Sequence, residues 1–123
     1  MASTTFRQDS GRFSIHARGK DGGEAEHRVA YTFGVHPLQQ YLIPQAGGRL
    51  QAFTLAWDTV RSRWFDLQEG ELASPGEPLH WTGRYQNWNL MCAECHTTAL
   101  RKRYDEQKDV YRTTWAEANV GCP

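Results

Sequence analysis

Apolar and polar residues alternate through the first half of the chain. Phe13, Ile15 and Ala17 interleave with Ser14, His16 and Arg18, the period of a half-buried strand. Gly19 to Gly23, "GKDGG", supplies a turn. Val29, Tyr31, Phe33 and Val35 alternate with Ala30, Thr32 and Gly34 and predict the clearest strand. "QQYLI" predicts a short strand ending at Pro44, and "QAGG" a hairpin connection into a strand from Arg49 to Trp57. On that strand Phe53, Leu55 and Trp57 share one face. "RWFDL" follows the polar turn "DTVRS". The expectation is an antiparallel β-meander of four or five strands over residues 1–68, with sequence neighbours adjacent in space.

The pattern then changes. Residues 69–79 are rich in Gly, Pro and Glu and read as a linker. From Arg84 onward, Tyr85, Trp88 and Cys92 fall at i, i+3 and i+7, the spacing of one helix face. Thr114 and Glu117 stand at capping-box spacing, predicting a short helix leading to Cys122. The expected fold class is therefore α+β, a β-meander followed by a helical segment over 80–123.

With 123 residues, the chain suits a modest core. Mean hydropathy is low, −0.72. Five Trp, five Tyr and five Phe partly compensate, because each brings a large surface to bury. Fourteen basic and fourteen acidic residues cancel, so charge gives no reason to expect nucleic acid as a partner. No apolar run is long enough to span a bilayer, and "MASTTFRQDSGRF" lacks the apolar core of a signal peptide.

Chemistry concentrates in Cys92-Ala93-Glu94-Cys95-His96, which matches C-x-x-C-H. Two thiols at this spacing reach the two vinyl groups of one porphyrin, and the next residue offers an imidazole to its iron as proximal ligand. Two other uses stay open. Zinc would take Cys92, Cys95, Cys122 and one His, without the second C-x-x-C that such sites normally have. A thiol–disulfide pair would follow a strand, whereas this motif follows a Trp-rich approach. Two buried, unreacted cysteines are the plain alternative.

"YTFGVHPLQQYLIPQAGGRLQAFTLAWDT", "RWFDL", "PLHWTGRYQNWNLMCAECHTTALRKRYD" and "TTWAEANVGC" together resemble the N-terminal part of bacterial multihaem c-type cytochromes, often fused to tetratricopeptide repeats. The resemblance runs from about Phe13 to Cys122. It implies haem c held covalently by Cys92 and Cys95, with His96 on the iron. It implies that Cys122 opens a second haem motif at which this chain is truncated, before further haem domains. It also implies maturation in the periplasm or another extracytoplasmic space, with a redox protein or those further haems as partners. One-electron transfer is the expected function; no nucleophile with a base and an orienter supports hydrolysis, so a carrier is expected rather than a catalyst.

A distal iron ligand is sought first in His80 of "LHWTG" and next in His36; His16 and His27 are expected to face solvent. Trp81, Tyr85, Trp88 and Trp115 are candidate walls for the porphyrin, or simply core. Arg84, Arg101, Lys102 and Arg103 are candidate partners for its propionates, or a solvated face.

Overall fold

The computed structural model describes residues 4–34, 36–67 and 73–117. Ten strands, β1 to β10, form three sheets among them. Strands β1 (Thr5–Asp9), β2 (Arg12–Arg18) and β3 (Glu24–Arg28) make an antiparallel sheet in that order. Ile15 and Ala17 are buried on β2 as the alternation predicts, and the "GKDGG" turn closes with Gly19 N–H donating to Gly23 O. Polar β1 and β3 carry little alternation; each is specified by pairing with β2.

The central sheet holds β4 (Tyr31–Phe33), β5 (Leu38–Gln45), β7 (Leu55–Asp58) and β8 (Arg63–Asp66), with β6 (Arg49–Ala52) also paired to β5. Strand β5 runs through Pro44. The expected 49–57 strand is broken in two. Between the pairs Leu42↔Ala52 and Gln39↔Trp57, β5 has two residues and the opposite chain four, so a bulge bends it. Phe53, Leu55 and Trp57 nonetheless all pack into one cluster.

Side chains of a strand alternate between faces, and β5 uses both. Tyr41 and Ile43 join Ile15, Phe53 and Trp81 in a cluster beneath the first sheet. Leu42 joins Phe33, Ala52, Trp88 and Ala93 in a cluster on the other side. Phe6 of β1 stacks on Trp64 of β8 with ring centroids 3.7 Å apart, clasping the first two sheets together.

The chain is mostly β, which overturns the α+β expectation and the helical segment placed over 80–123. One short 3-10 turn (Arg84–Gln86), a π-type turn (Trp88–Cys92) and the four-residue helix α1 (Ala93–His96) are the helical pieces beyond residue 80 among those described. The Tyr85, Trp88, Cys92 spacing does not form one face. Asn87 is extended (φ −76°, ψ 114°) and bridges Gln51, so the chain bends there, leaving Tyr85 exposed and Trp88 fully buried. Thr114 and Glu117 do not cap a helix either: they bridge Arg101 and Thr98. A hairpin, β9 (Tyr104–Asp105) with β10 (Val110–Tyr111), forms the third sheet. Of the described residues, none belongs to a helix long and apolar enough to cross a membrane.

Gly48, in the β5–β6 turn, has φ +70°, and a Cβ there would overlap the Tyr111 carbonyl. Only glycine lets the β9–β10 hairpin approach so closely.

Candidate functional site

The C-x-x-C-H turn is set on the second face of the central sheet by the residues just before it. Asn89 is buried: its side-chain oxygen accepts Leu50 N–H at 2.8 Å, and its amide donates to Gly48 O and Thr113 Oγ1. Asn87 donates to Gln51 Oε1 and accepts Leu90 N–H, capping the π-type turn. Gln51 in turn donates to Trp81 O and Gly83 O. Each of these buried amides has partners at both its oxygen and its nitrogen, the condition for a rigid buried network. A π-type turn spends one more residue per turn than an α-helix. Here Ala93 N–H reaches back to Trp88 O, bringing Cys92 to the start of α1.

Trp88 and Ala93 fasten this turn to Phe33, Leu42 and Ala52, with Cys92 packed against their edge. At the other end Thr97 Oγ1 donates to Ala93 O, and Thr98 and Arg101 bridge Glu117 and Thr114. Lys102 pairs with Glu94 at 3.4 Å on the solvent side.

The three motif side chains have different surroundings. Cys92 is half-buried; burial first, and then neighbouring Cys95, pushes its thiol above the usual range. Cys95 and His96 are exposed, and neither cysteine is in a disulfide. The His96 ring lies 5.4 Å from Phe33 and 6.0 Å from Trp88, centroid to centroid. Trp115 approaches Trp88 at 6.2 Å and Tyr31 approaches Trp115 at 5.4 Å, extending an aromatic wall. The Trp88 indole N–H is buried without an acceptor among the described residues. So the donor set is two thiols outside any disulfide, three residues apart, beside an exposed imidazole with no hydrogen-bond partner among the described residues. That set fits a covalently held haem.

It fits a dithiol catalyst less well. A dithiol catalyst needs its first cysteine exposed and acidic; here the first is the half-buried one with the raised pKa. Among the described residues no three His, Cys, Asp or Glu side chains converge as metal ligands. The zinc reading needs Cys122, which lies outside the described residues, as does Val35 of the expected strand.

The remaining candidates disperse. His80 is buried against Trp81, with Nδ1 2.7 Å from Thr82 Oγ1. Trp81 belongs to the cluster beneath the first sheet, so His80 and His96 are rooted on opposite faces of the central sheet. Burial, then the charge of Arg18, lowers the His80 pKa, while Glu77 works against them. His36 is exposed beside Thr59, and His16 is exposed on β2. His27 is half-buried and edge-on to Trp81 at 4.9 Å, not solvent-facing as expected. Of the four proposed wall residues, Trp88 and Trp115 adjoin the motif; Trp81 lies in the other cluster and Tyr85 is exposed. Phe33, Asn87 and Asn89 also belong to the site, although nothing in the sequence assigns them to it. Phe33 was legible only as an alternating strand position, and "QNWN" only as part of a resemblance.

No protein-family model, no curated protein and no solved structure matches the chain.

Proposed function

We propose that Cys92, Cys95 and His96 attach haem c and that the chain is a one-electron carrier of the multihaem cytochrome type. The observation that carries this reading is the unspent donor set itself: two free thiols, one at the N-cap of a short helix and one within it, and an imidazole beside Phe33 and Trp88 with no hydrogen-bond partner among the described residues. Cys92 and Cys95 would each hold the group through a thioether, and His96 would ligate its iron. Haem c bound there supplies transfer of one electron, cycling between ferric and ferrous iron. The chain's part is to fix the imidazole and lower the polarity around it. Phe33 and Trp88 limit water on the inner side of His96, and Asn87 and Asn89 fix the turn that leads into both cysteines. Such attachment takes place outside the cytoplasm, with a redox protein or further haem domains as partner.

The test is expression behind an export signal together with a haem-attachment system, followed by a spectrum of the denatured, reduced protein. A c-type band that survives acid–acetone extraction is expected. Zinc by metal analysis with no chromophore would replace this reading with a structural zinc site.

A further inference from the structure

A cavity of about 670 Å³ lies between the β2–β3 turn, the β5–β6 hairpin, the loop before Arg84 and the β9–β10 hairpin. Its size is that of a small-molecule site. Gln51 and Asn87, both buried, line it, and their oxygens and amides are tied into the network described above. The wall is therefore rigid before any ligand arrives.

Among the described residues five charged ones line the cavity: Lys20, Arg49 and Arg84 against Glu77 and Asp109. The acids are already engaged. Asp109 accepts from Arg49 and from Tyr104 Oη, and Glu77 Oε2 accepts Ser74 N–H at 3.0 Å. Arg49 is spent on Asp109 and lies over the Tyr111 ring. Among the described residues Lys20 and Arg84 have no carboxylate within ion-pair distance, although the Lys20 charge reaches Asp109 and helps to lower its pKa. Arg84 rests its guanidinium over Tyr85, 5.2 Å from the ring centroid. Two exposed cations that close no ion pair, at the rim of a pre-formed polar cavity, can attract negative oxygen atoms.

We infer that this cavity binds a small oxyanion, a phosphate or carboxylate, held between Lys20 and Arg84 over the Gln51–Asn87 wall. The inference is independent of haem attachment, since none of the motif side chains lines the cavity.

Calorimetric titration of the full chain with inorganic phosphate, and separately with succinate, tests it against chloride at matched ionic strength. Saturable binding of one or both is expected, and which one binds identifies the ligand class. Lys20→Met and Arg84→Met should each weaken it roughly fivefold, the scale of one partly exposed charge-assisted contact. Lys108→Met, outside the cavity, should leave it unchanged. Both cations are exposed, so the variants should keep the parent circular dichroism; Lys20→Glu gives a second reading at the same site. No saturable binding beyond chloride, or equal weakening by Lys108→Met, would overturn the inference.

Discussion

The Cys92 thiol and the His80 imidazole both sit where burial opposes charge, with different consequences. For Cys92 the neutral thiol is favoured, which suits the proposed thioether better than a thiolate nucleophile. For His80 the consequence is a pH dependence of folding. Its folded pKa lies below the ordinary value of 6.5. The unfolded chain therefore takes up the proton first, and stability falls as pH drops below 6.5 towards the folded value. Above 6.5 this contribution is fully present. Nδ1 also accepts Thr82 N–H at 3.3 Å, a bond that a protonated ring cannot make. Urea denaturation across this range should show the slope flattened in His80→Asn. An unchanged slope would show that other groups set it.

At the scale of elements, the strands with strong alternation were legible and the turns that seat the motif were not. Ile15 and Ala17 on β2 are buried where the pattern put them, whereas the strand expected from Val29 is only β4, Tyr31–Phe33, with Phe33 buried and Tyr31 exposed. Strands β1 and β3 escaped notice because "TFRQD" and "EAEHR" show no apolar face; pairing to β2 creates them. The 84–92 stretch misled because helical spacing says nothing about a bend, and the bend at Asn87 comes from a distant partner, Gln51. Similarly, the distal role sought in His80 rested on closeness in sequence, whereas its packing on Trp81 is a matter of sheet faces. Asn89 is the sharpest example of a long-range determinant. Asn89→Ala would strand Leu50 N–H, at a cost of about 1–3 kcal/mol. Denaturant unfolding should record that loss, together with faster exchange of the Leu50 amide; parent-like stability would mean the turn is held by Trp88 packing alone.

For the whole molecule, β5 is the shared wall of both clusters, Tyr41 and Ile43 on one side and Leu42 on the other. Neither cluster can lose this strand without exposing the other. One cooperative unfolding transition is expected, with far-ultraviolet dichroism and tryptophan fluorescence giving the same midpoint. The tryptophans suit this comparison, because Trp81 reports one face and Trp88 the other. Two separated transitions would show that the cysteine-bearing segment unfolds independently of the sheets.

The central claim concerns two sulfur atoms, and intact mass reads it directly. The parent chain and its Cys92→Ser/Cys95→Ser variant should be matured side by side outside the cytoplasm and weighed after denaturation. One haem is expected on the parent and none on the double variant. A parent of unmodified mass, or the same adduct on both proteins, would contradict it.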